Sequence, residues 1–467
     1  MKAQLTILAL APLILAAAPA PTVPPPQYQT LAHDTLAQII AVHSVHAEGV
    51  AGVAKILVDR LKAGGFTDDE IKVAADPKFP NQVNVVVRLK GKGKGKPILW
   101  NGHEDVVEAK AEDWTVPPFQ MTEKDGYWYG RGTADMKGDD VAMLVSLIRL
   151  KQEHFVPDRD IVVAFTADEE VGLEQDGVRW LAREHRDWID AAYAIDTDGA
   201  GGELENGRRV ALDMETSEKT YVTLLLETTN RGGHSSEPRP DNAIYSLAAG
   251  LTRLAAYSFP YKVNATTKLY FQREAQMQSG QVKADMLAVA GDTPDLAAAA
   301  RLAQDPSVNA ILHTTCVATM LQAGHQENAL PQRAQATVQC RIMPDETPEQ
   351  TRLAVAAAVA DPSISVRIPD EVVSGPESPP TPLIVGRVQK VTDSMWPGVP
   401  VIPMMGAGAS DGLYLRGAGI PTYDISGIFQ DVHDDRMHGR DERVNIQAFM
   451  ESIEFTYRLM KETSRAD

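Results

Sequence analysis

Histidine and carboxylate side chains cluster in five short segments of the chain, several of which come directly after an apolar run. The carboxyl ends of the strands in an α/β sheet are where sites form, so side chains that follow such runs are expected to meet there. Imidazole and carboxylate groups together are suited to binding divalent metal ions. The segments are residues 98–106, 130–138, 165–172, 194–202 and 432–442.

The first two segments each offer one candidate metal ligand. His103 stands two residues before Asp105, and residues at this spacing share a face of a strand. Metal-bound histidine usually has an oxygen partner that orients its ring, a role that suits Asp105. Asp135 follows a glycine-rich turn and precedes a predicted helix. The alternatives are a structural histidine and a helix N-cap.

The third segment contains three consecutive acids, Asp168, Glu169 and Glu170. Such acids repel one another unless a cation binds, and one glutamate can then ligate the metal while its neighbour acts as general base on water. A solvated acidic turn is the alternative interpretation.

The last two segments leave the choice of ligand open. Asp196 and Asp198 compete for one ligand position, and His433 and His438 for another. A set of imidazole and carboxylate ligands without a thiolate suits Zn²⁺, with Mn²⁺ or Co²⁺ as further candidates.

These segments lie in a chain whose apolar pattern predicts alternating helices and strands. Helices are predicted at residues 28–42, 52–63, 136–153 and 173–184, and strands at residues 83–90, 97–102, 160–166 and 191–195. Residues 91–96, in the run KGKGKGK, are interpreted as a solvated hairpin turn. Such alternation predicts an α/β fold whose main domain has a mainly parallel sheet flanked by helices.

The pattern changes near Ser217 to β-α-β-β-α-β, which predicts an inserted α+β domain. The domains are predicted as residues 27–216 with 375–467 (catalytic) and 217–374 (lid), after an N-terminal segment of residues 1–26. The strands of the lid are predicted at residues 221–229, 311–322, 335–342 and 363–368, its helices at 242–257 and 348–360, and an insertion at about 260–306.

The N-terminus and the composition indicate an exported protein. Met1-Lys2, an apolar run and a Pro-rich stretch that ends at Pro26 resemble a signal peptide, which predicts a periplasmic or secreted location. An uncleaved anchor is the alternative. A net charge of −18 argues against nucleic acid or anionic membrane partners. Cys316 and Cys340 form a disulfide or stay as two buried thiols.

Taken together, in this order, the five segments resemble the co-catalytic zinc exopeptidase and deacylase family. The family includes glutamate carboxypeptidase, aminoacylase, acetylornithine deacetylase, succinyl-diaminopimelate desuccinylase, peptidase T and the carnosine dipeptidases. The resemblance runs from about residue 30 to the C-terminus. It implies a catalytic α/β domain with an inserted lid that usually dimerises, and two Zn²⁺ ions.

By this resemblance, Asp135 bridges the two metal ions. His103 and Asp198 complete the site of the first ion, and Glu170 and His438 that of the second.

The resemblance also implies the catalytic groups. Glu169 is the expected general base, Asp105 orients His103, and His234 in the sequence RGGHSS stabilises the oxyanion, often from the partner subunit.

Substrate binding is expected from four further residues. Arg341 resembles a clamp for a substrate carboxylate, with a surface ion pair as the alternative. Asn328 lies in a matching Asn-Ala-Leu-Pro segment, and Gly408 and Ser410 in a Gly-rich loop that offers N–H groups to substrate.

The substrate expected is a small peptide or an N-acyl amino acid. An aspartate at position 198, followed by Gly-Ala-Gly-Gly-Glu, most resembles peptidase T and favours a dipeptidase or aminopeptidase. A carboxypeptidase or N-acyl-amino-acid amidohydrolase is the alternative with the same chemistry. A non-catalytic exported peptide-binding protein is the alternative from another class.

Overall fold

The computed structural model of the protein describes residues 21–172, 174–406 and 408–466. Most of the predicted signal peptide, residues 1–20 of 1–26, lies outside the described residues. Among the helices formed by the described ranges, none combines the length and apolarity needed to cross a membrane.

The strands belong to one large sheet and three smaller ones. In chain order they are β1 (Ile71–Ala75), β2 (Val83–Leu89), β3 (Ile98–His103), β4 (Thr122–Lys124), β5 (Tyr127–Tyr129), β6 (Ile161–Thr166), β7 (Tyr193–Asp196), β8 (Gly202–Glu205), β9 (Arg208–Glu218), β10 (Thr220–Thr229), β11 (Gly233–His234), β12 (Thr315–Ala323), β13 (Ala329–Leu330), β14 (Arg333–Ile342), β15 (Ser365–Arg367), β16 (Val401–Gly406), β17 (Thr422–Asp424), β18 (Phe429–Asp431) and β19 (Arg443–Asn445).

The helices flank the sheets, and a short 3-10 turn covers Ala111–Asp113. In chain order the α-helices are α1 (Pro26–Ile40), α2 (Ala51–Ala63), α3 (Lys137–Gln152), α4 (Gly177–Glu184), α5 (Arg186–Ile189), α6 (Ala243–Ala255), α7 (Ala265–Met277), α8 (Gly280–Val289), α9 (Leu296–Leu302), α10 (Pro306–Leu312), α11 (Pro348–Val359), α12 (Pro382–Met395), α13 (Gly412–Gly417) and α14 (Ile446–Thr463).

The large sheet is mixed but mainly parallel, as predicted. Its strands run in the order β1-β2-β6-β3-β7-β17-β9-β8-β18, with β16 beside β9. The strands β6, β3, β7 and β17 are mutually parallel. Every residue of β3 and β6 is buried, which is the reason that both appear in the sequence as continuous apolar runs.

The hairpin predicted at residues 91–96 is wrong. β2 and β3 are not neighbours, because β6 lies between them, antiparallel to β2 and parallel to β3. The segment is a crossing connection instead. The local composition of the turn could not reveal that β6, which begins only at Ile161, lies between the two strands.

Two elements begin later than predicted, and the N-cap residues of helices explain both differences. α4 begins at Gly177, because the Asp176 carboxylate accepts the N–H of Arg179 and caps the helix there. The strand predicted from residue 311 begins at Thr315, because Asp305 caps α10 immediately before it.

The second sheet has the order β12-β14-β10-β15. β10 and β14 pair along their whole length, with Tyr221 opposite Arg341. Val222, Leu224 and Leu226 point to the face that α6 and α11 cover, so the alternation of β10 follows from its half-buried position. Residues 265–312 form four helices with a small apolar core of their own, and α7 packs on β16.

Cys316 and Cys340 form a disulfide between directly opposed residues of β12 and β14. The pairing interpretation is therefore confirmed, and the alternative of two free thiols is wrong.

We expect the disulfide to stabilise the second sheet, because it joins residues 24 positions apart. Loss of a closed loop of this size lowers the free energy of unfolding by about 3 kcal/mol. Urea unfolding of a Cys316→Ala/Cys340→Ala protein should show a lower midpoint than the parent. Reductant should shift the parent alone, and equal midpoints for the two proteins would contradict the expectation.

Candidate metal centre and its surroundings

The candidate ligands converge at one edge of the large sheet. His103 ends β3, Glu169 and Glu170 follow β6, and Asp198 follows β7. These three strands are parallel neighbours, so their carboxyl ends lie side by side. Asp135 and His438 reach the same place from loops.

Asp135 lies between the two histidines. Its Oδ1 is 3.3 Å from His103 Nε2, and its Oδ2 is 2.8 Å from His438 Nε2. Glu170 Oε2 is 3.0 Å from the same His438 nitrogen. Asp135 is 6% exposed, and its peptide bond to Met136 is cis.

Two groups of donor atoms share this aspartate. In each group the atoms lie within 4.8 Å of one another, close enough to surround one ion. The first group contains His103, Asp135 and Asp198, and the second contains Asp135, Glu170 and His438.

The pKa values of the site are shifted by burial and by neighbouring charges. Burial disfavours the charged forms of Glu169 and Asp198 and raises the pKa of both well above the usual range, and nearby acids add to the effect. Burial alone would also raise the pKa of Asp135, but the nearby His103 and His438 lower it instead. Hydrogen bonds with Asp135 and Glu170 raise the pKa of His438 to about 10.

The residues fit two divalent metal ions. The buried Nε2 of His103 makes no hydrogen bond within the described part of the chain, while its Nδ1 lies 3.1 Å from the Asp105 backbone oxygen. This arrangement fits an Nδ1–H donor and leaves Nε2 as the free electron pair that a metal needs. The donors around it are carboxylates and imidazole without a thiolate, which matches the preferences of zinc.

Asp105 contacts more than the ring of His103. Its carboxylate lies 3.5 Å from His103 Nδ1, and its two oxygens accept the backbone N–H groups of Glu169 and Glu170, each at 3.2 Å. One buried side chain therefore lies beside the ring of the first histidine and holds the loop that carries both glutamates. The preceding residue of that loop, Asp168, has a positive φ of 61°.

Glu442 does the same for the turn that carries Asp135, a role that sequence reasoning missed. One of its oxygens accepts the N–H groups of Gly132, Ala134 and Asp135 at 2.9–3.2 Å. Arg131 pairs with the other oxygen, and Glu442 is fully buried. Its only signal in the sequence is its place four residues after His438.

The structure decides which members of the two competing pairs join the donor groups. Asp198 belongs to the first group, whereas Asp196 accepts the N–H of Asp198 at 3.2 Å and a hydrogen bond from Asn101. His438 belongs to the second group. The backbone N–H of His433 donates to the Asp431 carboxylate.

A cavity of about 550 Å³ opens beside the donor groups, and we call it the side cavity. Glu169, Glu170 and His438 line one end, and Tyr221 of β10 and Ser410 line other parts. The Ser410 hydroxyl donates to Glu218 at 2.7 Å, and its N–H donates to the same carboxylate at 3.0 Å. The neighbouring Gly408 is exposed.

Three residues of the predicted lid, each with an expected role in catalysis or substrate binding, do not line the side cavity: His234, Asn328 and Arg341. His234 is exposed and pairs with Ala329 in the β11–β13 ladder, beside Asn328, whose carbonyl accepts the N–H of Ser235. The Arg341 guanidinium stacks 4.7 Å from the ring of Tyr221, on the sheet face that borders the cavity.

Comparisons with known proteins agree on one family. A model of the family described as peptidase family M20/M25/M40 matches residues 99–462. The N-fatty-acyl-amino acid synthase/hydrolase PM20D1 of Xenopus tropicalis is 28% identical over 371 residues, which cover 78% of this chain and 72% of that protein.

Solved structures of low identity share the fold. The M20 family metallo-carboxypeptidase Sso-CP2 from Sulfolobus solfataricus has a TM-score of 0.65 at 18% identity, over 93% of this chain and 99% of that one. Aminopeptidase PepT from Bacillus cereus has a TM-score of 0.64 at 15% identity, over 95% of this chain and 100% of that one.

Replacing Asp105 tests the anchoring of the donor groups. Asp105→Ala removes the acceptor of two backbone N–H groups, so we expect the affinity for divalent metal to fall roughly 10–100-fold, with Asp105→Asn in between. Competition with a chromogenic chelator measures this affinity. The exposed Asp113 provides the control variant Asp113→Ala, and parental affinity in Asp105→Ala would refute the role.

Proposed function

The chain belongs to peptidase family M20/M25/M40 and is a hydrolase of the peptidase and amidohydrolase type, and from this premise we propose that it uses two zinc ions to cut amide bonds of small substrates. The observation that carries the proposal is the position of Asp135. Each of its two oxygens faces a different histidine, as a carboxylate that bridges two ions must.

In the proposed site, His103, Asp135 and Asp198 hold one zinc, and Asp135, Glu170 and His438 hold the other. Two zinc ions supply a polarised substrate carbonyl and a more acidic water. Mn²⁺ and Co²⁺ are accepted by the same donor types.

The proposed general base is Glu169. Its Oε2 lies 3.9 Å from His103 Nε2, so the carboxylate borders the space between the donor groups and the side cavity. Glu169 takes a proton from the attacking water and later returns it to the leaving amine nitrogen. Asp105 supports this step by holding the N–H of Glu169.

Two substrate classes fit the proposal. The PM20D1 relative favours N-acyl amino acids, and Asp198 favours short peptides by its resemblance to peptidase T. Both present an amide beside an amino acid, which suits Arg341 as the clamp of a carboxylate. The Ser410 hydroxyl and N–H both donate to Glu218, which supports a role for Ser410 in positioning its loop. Gly408 and Asn328 remain as proposed substrate contacts.

We also propose that residues 27–216 and 375–467 form the catalytic domain and residues 217–374 a lid that forms a homodimer. The edge strand β12 supports this. It pairs on one side only and exposes Val317, Met320 and Leu321 by about 60% each. Exposed apolar edges of this kind are usually covered by a partner.

Export is proposed from the N-terminal sequence, and the disulfide between Cys316 and Cys340 supports it. Disulfides persist mainly in oxidising compartments.

The first test is hydrolysis of a substrate panel by the zinc-loaded protein. The panel contains free dipeptides and tripeptides, C-terminally amidated peptides and N-acyl amino acids. Glu169→Gln should lower kcat roughly 100- to 10,000-fold, because the proton acceptor is lost, while bound zinc stays at the parental level. The control Glu174→Gln changes an exposed glutamate of the same region. Full activity of Glu169→Gln would refute the mechanism.

The second test asks whether His234 of the partner subunit completes the site. Glu169→Gln and His234→Ala proteins should each be nearly inactive, whereas a mixture after subunit exchange should regain about a quarter of the parental activity. Half of the dimers are then mixed, and each holds one intact site. A mixture no more active than its components would contradict this arrangement.

A further inference from the structure

We infer that the side cavity selects a bulky apolar group on the substrate and rejects acidic groups there. The inference rests on the proposed function and adds a substrate class to it. The side cavity is the space into which a substrate must extend, because Glu169, Glu170 and His438 form one end of it. Its volume of about 550 Å³ lies within the roughly 300–1,000 Å³ range of small-molecule sites.

Apolar side chains from two parts of the chain form much of the wall of the side cavity. Val171, Leu413 and Tyr414 come from the part of the chain that carries the donor groups, and Ile368, Val372 and Val373 come from the segment that follows β15. The ring of Tyr221 lines it as well. An apolar group placed between these walls leaves water, and each buried methylene should raise kcat/KM about fourfold.

The charged groups of the side cavity also favour an apolar substituent over an acidic one. Apart from the glutamates near the metal centre, its acids are Asp370 and Glu371, both exposed. Glu371 pairs with Arg179 at 2.7 Å. The lining residues that the structure describes include no lysine or arginine, and their one basic side chain, His438, is held by Asp135 and Glu170.

An acidic substituent in the side cavity would therefore lose its hydration without gaining a cationic partner. Unpaired burial of a carboxylate is strongly unfavourable. Arg341 does not relieve this cost, because its guanidinium lies over the Tyr221 ring outside the lining. This position suits the carboxylate of the amino acid itself, so that the clamp and the apolar cavity would bind different parts of one substrate.

The test uses two matched pairs of substrates, one for each side of the scissile amide. N-succinyl-phenylalanine is compared with N-(4-methylpentanoyl)-phenylalanine, which replaces the carboxylate by an isopropyl group of the same shape. N-acetyl-aspartate is compared with N-acetyl-leucine, in which an isopropyl group replaces the carboxylate in the same way. For the side that the cavity binds, we expect kcat/KM to be roughly 100-fold higher for the apolar member, and to rise about fourfold per methylene along a linear series.

A variant of the cavity wall shows where the selection occurs. Val372→Lys places a cation in the side cavity and should reverse the preference within the selective pair, as a charged partner becomes available to the acid. Val156→Lys is the matched control, because Val156 is 53% exposed and lies outside the cavity. Thermal unfolding and zinc content verify that both proteins are folded and loaded.

The possible outcomes separate the two proposals. Hydrolysis with equal rates within both pairs, or with a preference for the acidic members, would overturn the apolar selection and leave the proposed function intact. An apolar preference that Val372→Lys does not change would also overturn it, because the selection would then occur elsewhere. Absence of hydrolysis for all four N-acyl amino acids and also for the free dipeptides and tripeptides of the first panel would refute the proposed function itself.

Discussion

The crowding of buried negative charge around Asp135 is the constraint on which the rest of the site depends. Glu170 and Asp198 lie close to this aspartate, and Glu169 lies close to His103, at the edge of the large sheet. Burial raises the pKa of Glu169 and Asp198 there. Carboxylates held this close are stable only if they bind protons or cations. His103 and His438 supply partial compensation, and the shared geometry of the two donor groups indicates that divalent metal supplies the remainder.

A second consequence of this crowding is that the loops must be held rigidly. Buried carboxylates do this by accepting backbone N–H groups, as Asp105 does for residues 169 and 170 and Glu442 does for residues 132–135. Asp196 does the same for Asp198. Each link joins a candidate ligand to another part of the site, so that loss of a residue outside the donor groups would still change the positions of the donor atoms.

The connection between the large sheet and the second sheet lies beside the side cavity. β9 leads directly into β10 at Glu218, and this glutamate binds Ser410 and Arg416 beside the side cavity. Walls from both sheets therefore meet at a junction that is tied by buried charges. Movement of the second sheet, which contributes Tyr221 and Thr223 to the lining, would change the shape of the side cavity.

The sequence by itself determined the elements and the candidate ligands. Continuous apolar runs predicted β3, β6 and β7, because strands buried on both faces need no polar residues. The positions directly after them predicted His103, Glu169, Glu170 and Asp198, since polar residues at strand ends are where such sheets form sites. Only the tertiary structure decided the order of the strands and the roles of Glu442 and Glu218. It also placed Asp198 and His438 in the donor groups, the two residues that the family resemblance already favoured over Asp196 and His433. The physical reason is that these features depend on contacts between residues far apart in the chain, whereas periodicity and composition report only on the local environment of each segment.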